Sequence, residues 1–266
     1  MGIDGAILGP DGWQAALAAL EWQVELGVTE ITGEAPVDRY GLPETLKPAA
    51  APAAARVAAP MVAVTAADPV AAARSVAASA TTLAALREAL AAFELCELKR
   101  GAKTTVFADG NPAARVLILG EAPGREEDAA GLPFVGRAGQ LLDRMFAAIG
   151  LSRSSPDPEI ALYLTNVMPW RPPLDRDPEP DEIAMLRPFV ERHIELVNPT
   201  LIVAMGNTPC QCLLGTKGIL RLRGNWAQAL GRAVLPMTHP AYLLRTPAAK
   251  REAWADLLTL KGRLQQ

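Results

Sequence analysis

Four short apolar runs, each of the length of one buried strand, alternate with helical patterns between residues 91 and 266. The runs are RVLILG (115–120), LYLTNV (162–167), TLIVAMG (200–206) and AVLPMTH (233–239). Segments with helical periodicity lie between and after them, near 137–149, 179–197, 207–214 and 248–264. This alternation is typical of a parallel sheet covered by helices on both faces. We therefore predict an α/β fold, a three-layer αβα sandwich with a central four-stranded parallel sheet.

The N-terminal third has a different composition. Residues 11–27 show helical periodicity, whereas the stretch from 47 to 80 is rich in Ala, Pro and Val and low in complexity, which is typical of a linker. A second amphipathic pattern at 81–95, TTLAALREALAAFEL, marks the start of the compact part. The predicted organisation is an N-terminal helical extension (1–46), a linker (47–80) and one catalytic domain (81–266).

Several classes of protein are disfavoured by the composition. No apolar run reaches the roughly 18 residues that a membrane span needs, and the first residues lack the charged start and apolar stretch of a signal peptide. The three cysteines, Cys96, Cys210 and Cys212, have spacings that match neither a disulfide framework nor a zinc site. We expect a cytoplasmic protein with reduced thiols and no membrane partner.

The formal net charge of -3 disfavours a nucleic-acid partner only weakly, because it is unevenly distributed. Residues 1–90 carry 5 Lys or Arg against 10 Asp or Glu, while residues 91–266 carry 21 against 19. The predicted domain is therefore slightly basic and can present a positive surface to phosphates.

Polar residues follow or end all four apolar runs. They are Glu121, Asn166, the pair Gly206-Asn207, and His239. Ligands of parallel α/β sheets bind at the carboxyl ends of the strands. We therefore expect these side chains to meet in one site.

The segments around these strand ends resemble one known family. GEAPGREED and GLPFVGRAGQLL, then TNVMPWRPP, VNPTLIVAMGNTP and MTHPAYLLR are similar, in this order and spacing, to segments of the family 4 uracil-DNA glycosylases. The resemblance covers about residues 90 to 262. It implies a monomeric base-excision repair enzyme that flips uracil out of single- or double-stranded DNA, hydrolyses its N-glycosidic bond and leaves an abasic site.

The resemblance also implies roles for individual residues. Phe134 is similar to the aromatic residue on which the flipped uracil stacks, and Asn166 to the amide that reads the uracil edge with one donor and one acceptor. His239 is similar to the histidine that donates a hydrogen bond to uracil O2 as negative charge develops there. Glu121 occupies the position of a carboxylate that positions water and stabilises the sugar cation.

Further residues are implied at the edges of the pocket and on the DNA surface. Glu127 or Asp128 would lie near uracil C5, and the small Ala122 would leave room in the pocket. Leu243 or Leu244 would enter the gap left by the flipped base. Candidate contacts to DNA phosphates are Arg245, Arg137 and Arg171.

One part of the family pattern is missing. Family 4 enzymes usually hold an iron-sulfur cluster with four cysteines, and those positions fall here on Phe93, Cys96, Trp170 and Leu186. One thiolate cannot hold a cluster that needs four ligands. We predict an enzyme without an iron-sulfur cluster, another metal or an organic cofactor.

Three alternatives stay open at the level of sequence. One is the same fold with a shifted base preference, for hypoxanthine or a 5-substituted uracil. Another is a catalytically weak or inactive module that binds damaged DNA. A third is a nucleotide-binding protein that uses GEAPG as a phosphate loop, although this segment lacks the lysine typical of one.

Overall fold

The computed structural model describes Leu17 and residues 68–265. Apart from Leu17, the predicted helical extension (1–46) lies outside the described residues, as does most of the predicted linker (47–80).

A six-stranded mixed sheet forms the centre of the domain, in the order β1-β3-β2-β4-β6-β5. Its inner four strands, β3-β2-β4-β6, are parallel, which confirms the predicted sheet. Two three-residue strands, β1 and β5, pair antiparallel at its two edges and were not predicted, since so short a run carries no pattern. The strands are β1 (Ala108–Gly110), β2 (Val116–Gly120), β3 (Leu162–Asn166), β4 (Leu201–Met205), β5 (Ala227–Ala229) and β6 (Arg232–Met237).

Helices connect and cover the strands, and those predicted between the apolar runs are present. In the described part of the chain they are α1 (Pro69–Ser79), α2 (Leu83–Ala92), α3 (Arg125–Ala130), α4 (Arg137–Ala147), α5 (Pro180–Val197), α6 (Asn207–Leu214), α7 (Ile219–Leu222), α8 (Pro240–Arg245) and α9 (Lys250–Leu264). Short 3-10 turns lie at Glu97–Gly101, Pro173–Asp175 and Pro247–Ala249.

Helix α1 corrects the predicted boundary between linker and domain. It lies inside the segment 47–80, begins with Pro69 in its first turn and is capped by Asp68, whose Oδ1 accepts from the Val70 amide at 3.0 Å. Ala73 and Ala77 are buried in the same cluster as residues of α5. The compact domain therefore includes α1, which the predicted boundary assigned to the linker. The Ala-rich composition of α1 is typical of a linker, but small side chains also let two helices approach closely.

The residues of β2 show how the three layers arise. Leu117 and Leu119 face a cluster that includes residues of α1, α2 and α5, while Val116 and Ile118 face a second cluster with residues of α4 and α9. All four side chains are fully buried. Burial of each contributes about 1.5–3 kcal/mol, so the sheet, and with it the position of each strand end, is held from both sides.

Within the described residues, the structure contains no helix that combines the length and the apolar character needed to cross a membrane.

Candidate active site

A cleft lies at the carboxyl ends of the parallel strands, as expected from the sequence. Glu121 directly follows β2, Asn166 is the last residue of β3, and His239 follows β6 by two residues. Six of the predicted site residues line this cleft: Glu121, Ala122, Glu127, Phe134, Asn166 and His239. The side chains of Pro172, Asp175 and Arg176 border it from the loop after β3.

Gly120, at the end of β2, allows two of these groups to come together. A Cβ atom at this position would overlap with Asn166 Oδ1 and with the ring of Phe134. Its backbone conformation does not require glycine, so the requirement is for space. The ring and the carboxamide therefore share the volume that a side chain at residue 120 would fill.

Phe134 contributes an aromatic face to the cleft. Its ring centroid lies 5.8 Å from that of the His239 imidazole, and the two planes differ by 28°. The side chain is buried among residues that include Leu142. Its φ of 55° is in the left-handed region, which is unusual for a residue other than glycine and costs on the order of 1 kcal/mol or more.

Asn166 is the buried polar group of the cleft. Its carboxamide makes no hydrogen bond to any other described residue and lines the cavity. A carboxamide offers both donors and an acceptor, so this side chain is free to pair with a base edge that presents one acceptor and one N-H.

His239 is held in one tautomer. The Ala241 amide donates to its Nδ1 at 3.2 Å, so the proton of the neutral ring lies on Nε2. Burial and, to a smaller extent, the positive charge of Arg245 lower the pKa of His239 to about 4, against the opposing effect of Glu127. At neutral pH the ring is therefore an uncharged hydrogen-bond donor.

Glu121 is partly buried beside α6. Thr208 Oγ1 donates to its Oε2 at 2.7 Å, which leaves Oε1 for another partner. Burial raises the pKa of Glu121, and the Thr208 hydrogen bond reduces that shift. Thr208 was not among the predicted site residues, although it lies in the segment VNPTLIVAMGNTP on which the resemblance rests.

The two acidic residues predicted near uracil C5 have other partners. Glu127 Oε1 accepts from the amides of Val135 and Gly136 at 3.0 and 2.8 Å, and its Oε2 accepts from the Gly124 amide at 3.1 Å. Glu127 borders the cleft, but both oxygens of its carboxylate already accept hydrogen bonds from backbone amides.

Asp128 lies outside the cleft. It is 4% exposed, and its Oδ1 accepts from the amides of Lys103 and Thr104 at 2.9 and 3.2 Å. This correction follows from its place in α3: residues 127 and 128 point in different directions around a helix, so only the first faces the cleft.

The predicted DNA contacts differ in accessibility. Leu243 is 1% exposed and packs with Leu141 and Ala253, whereas its neighbour Leu244 is only partly buried. Arg137 and Arg245 are exposed at the first residue of α4 and the last residue of α8. Arg171 donates to both oxygens of Asp175 at 2.7 and 3.0 Å.

The four positions at which the resemblance places cluster ligands carry side chains that pack into the hydrophobic core. Phe93, Cys96, Trp170 and Leu186 are all buried in one hydrophobic cluster. The Phe93 ring packs edge-on against Phe189 at 5.3 Å, and Trp170 Nε1 donates to Thr105 Oγ1 at 3.1 Å.

This donor set does not fit an iron-sulfur cluster. Three of the four side chains offer no metal ligand, and burial raises the pKa of the Cys96 thiol, which disfavours the thiolate. Cys210 and Cys212 are buried in α6, and burial raises the pKa of each to about 12. Among the described residues, no group of three or more His, Cys, Asp or Glu side chains is arranged to hold a metal ion.

Comparison with known proteins gives consistent matches over this domain. The family model of the uracil DNA glycosylase superfamily matches residues 107–258. The type-4 uracil-DNA glycosylase of Thermotoga maritima is 40% identical over 153 residues, which cover 56% of this chain and 77% of that protein. That of Archaeoglobus fulgidus is 36% identical over 172 residues (60% and 82%), and that of Pyrobaculum aerophilum is 33% identical over 192 residues (66% and 92%).

Proposed function

The chain belongs to the uracil DNA glycosylase superfamily, and on that premise we propose that it is a uracil-DNA glycosylase of base-excision repair. The observation that carries the proposal is the meeting of Glu121, Phe134, Asn166 and His239 at one cleft. These four residues supply an aromatic face, an amide, a neutral imidazole donor and a carboxylate. Each of these groups has a use in uracil excision, whereas a phosphate site would need amides or cations in their place.

Recognition of the base falls to Phe134 and Asn166. A uracil turned out of the DNA stack would lie against the Phe134 ring, with the Asn166 carboxamide donating to O4 and accepting from N3-H. Cytosine has a donor in place of O4 and an acceptor at N3, so it would leave both polar groups of Asn166 mismatched in this orientation of the carboxamide. An unpaired buried polar group costs about 1–3 kcal/mol, which disfavours cytosine in this cleft.

Cleavage of the glycosidic bond separates charge, and two groups match that separation. Negative charge develops on the departing uracil, where the Nε2-H of His239 would donate to O2. Positive charge develops on the sugar, near the Glu121 carboxylate. Its free Oε1 would also orient the water that attacks the sugar carbon. The products are free uracil and an abasic site.

The proposed contacts to DNA differ in how readily they can reach it. Arg137 and Arg245 are exposed and suited to phosphate contacts. Leu244, rather than the buried Leu243, is the proposed wedge in the gap left by the flipped base. Arg171, paired with Asp175, would reach a phosphate only by exchanging that partner.

We propose that this enzyme works without an iron-sulfur cluster. The support is the packing of Phe93, Trp170 and Leu186 in the volume where the cluster would lie, since bulky apolar side chains stabilise that region directly. We also propose a cytoplasmic monomer that acts on single- or double-stranded DNA. Three unpaired thiols fit a reducing compartment, and the proposal of a monomer rests on the family resemblance.

The test is excision from a labelled oligonucleotide with one uracil, single-stranded or opposite A or G, followed by alkaline strand cleavage. A matched oligonucleotide with thymine is the substrate control. We expect strand breaks only at uracil with the parent enzyme, and greatly reduced breaks with His239→Ala and Glu121→Ala. Asn166→Asp is expected to lose activity on uracil and gain cleavage at cytosine.

Two outcomes would contradict the proposal. Binding of uracil-containing DNA without excision would favour the inactive damage-binding module. Excision of hypoxanthine or a 5-substituted uracil in preference to uracil would favour the shifted base preference. No feature of the cleft favours either alternative, because the side chains needed for uracil chemistry are all present.

A further inference from the structure

The backbone around Phe134 is held in a conformation that it would not adopt by itself. Phe134 has a φ of 55° and lies in the segment 133–136, which directly precedes α4. A left-handed phenylalanine persists only where its surroundings fix it. The contacts that fix this segment therefore determine where the aromatic face of the cleft lies.

Arg153, in the loop between α4 and β3, makes the first set of these contacts. Its Nη1 donates to the carbonyl oxygen of Pro133 at 3.0 Å, and its Nη2 donates to that of Phe134 at 2.9 Å. One planar guanidinium thus binds two consecutive carbonyl groups. This geometry suits the fork of an arginine and cannot be reproduced by the single ammonium group of lysine.

Two carboxylates fix Arg153 itself. Its Nε donates to Asp143 Oδ1 at 2.8 Å, and its Nη1 donates to Asp109 Oδ2 at 3.0 Å. Asp143 lies on α4 and Asp109 on β1, so the guanidinium is anchored to two elements of the rigid domain. The Arg153 side chain is only 14% exposed, and its position is therefore set before any substrate arrives.

Glu127 holds the same segment from the other side. Its Oε1 accepts from the amides of Val135 and Gly136. The peptide unit between Phe134 and Val135 is thus bound at its oxygen by Arg153 and at its N-H by Glu127. Gly139 completes the fit, because a Cβ atom there would overlap with the Phe134 carbonyl group.

We propose that Arg153 is a positioning residue for uracil excision, which holds Phe134 in the left-handed conformation that presents its ring to the flipped base. This inference rests on the proposed function. Arg153 does not line the cleft, so it acts on the base only through Phe134.

The test combines Arg153→Gln and Arg153→Lys with Phe134→Ala in a double-mutant cycle. Arg232→Gln is the matched control. Arg232 is the first residue of β6 and also donates to two backbone carbonyl groups, those of Pro199 and Leu230. The first readout is the single-turnover rate of uracil excision. The second is the affinity for DNA with an abasic site, which has no base to stack on Phe134. Thermal unfolding shows which variants are folded.

Hydrogen bonds from a charged donor contribute enough that Arg153→Gln should lower the single-turnover rate roughly ten- to a hundredfold. Arg153→Lys, which retains one contact, should fall between Arg153→Gln and the parent. In the Phe134→Ala background the same change should alter the rate less than about twofold, because coupled residues are not additive. Affinity for abasic DNA and the rate of Arg232→Gln should stay near the parent values.

Arg153 has no positioning role if the excision rate of Arg153→Gln equals that of Arg232→Gln, or if Arg153→Gln lowers the rate as much in the Phe134→Ala background as in the parent. The same conclusion follows if Arg153→Gln lowers the affinity for abasic DNA as much as it lowers the excision rate. Should Arg153→Gln fail to fold, Arg153→Lys is subjected to the same cycle. A parent enzyme that excises no uracil overturns the proposed function and this inference together. A parent that excises uracil while the cycle shows no coupling overturns the inference alone.

Discussion

The ring of Phe134 and the imidazole of His239 lie 5.8 Å apart, centroid to centroid, although 105 positions of sequence separate them. Phe134 lies in the loop before α4, and His239 lies two residues after the last parallel strand, β6. Their approach places the proposed stacking surface for a base beside the proposed hydrogen-bond donor to its O2 atom. The following predictions test how the surrounding residues maintain this arrangement.

The loss of excision activity at acid pH, the acid limb of the pH profile, is expected to reflect protonation of Glu121. Because the pKa of Glu121 is raised and that of His239 is lowered to about 4, acidification should protonate the carboxylate before the imidazole. The single-turnover rate of the parent should be constant near neutral pH and fall as Glu121 takes up a proton. In Glu121→Gln, this fall should be absent from the residual activity, because the amide does not titrate. Identical acid limbs in the two enzymes would show that Glu121 does not titrate in the step.

Gly120→Ala is expected to abolish most of the excision activity. The added methyl group would overlap with Asn166 Oδ1 and the Phe134 ring, and displacement of catalytic groups by about 1 Å can lower a rate roughly a hundredfold. The matched control is Gly262→Ala in α9, where nothing lies within 4 Å of the new Cβ. Excision rates and melting temperatures of both variants would be measured. A fully active Gly120→Ala would contradict the crowding of the site.

Thr208→Val is expected to lower the excision rate about tenfold, because it removes a hydrogen bond to a carboxylate without a large change of shape. Loss of this bond should also raise the pKa of Glu121 further and move the acid limb of the profile to higher pH. Thr208→Ser retains the hydroxyl group and is the conservative control. An unchanged pH profile in the valine variant would argue that the bond has no influence on Glu121.

The variants Leu243→Ala and Leu244→Ala should distinguish a residue that stabilises the fold from one that contacts DNA. Removal of the buried Leu243 side chain is expected to destabilise the domain by about 2–5 kcal/mol. Removal of Leu244 should leave the free energy of unfolding nearly unchanged but slow excision from double-stranded DNA more than from single strands, which have no gap to fill. The measurements are denaturant unfolding and excision on both substrates, and a reversal of the pattern would assign the wedge to Leu243.

Cys96→Ala is expected to change the excision rate less than about twofold, because a buried thiol that holds no metal contributes only packing. Anaerobically purified parent protein should contain no stoichiometric iron and no visible absorbance. Chelators should not unfold it, whereas they unfold domains that depend on a metal. Stoichiometric iron in the parent, lost in Cys96→Ala, would disprove the proposal of a cluster-free enzyme.

The sequence by itself determined the parallel core of the fold and the set of groups at the strand ends. Buried parallel strands are short apolar runs, and their carboxyl ends meet at one edge of the sheet. The strand ends alone therefore identify Glu121, Asn166 and His239 as candidate site residues. The same local patterns did not reveal α1, because an Ala-rich helix that packs through small side chains has the composition of a linker.

Only the tertiary structure decided which side chain performs which task around these groups. Glu127 and Asp128 are neighbours in sequence, yet one binds the Phe134 loop and the other the backbone at residues 103 and 104. Arg153 belongs to no motif, and its proposed role follows from contacts to residues 19 and 20 positions earlier in the chain. Hydrogen bonds of this kind depend on distances and directions between elements that packing sets, and a linear pattern contains neither.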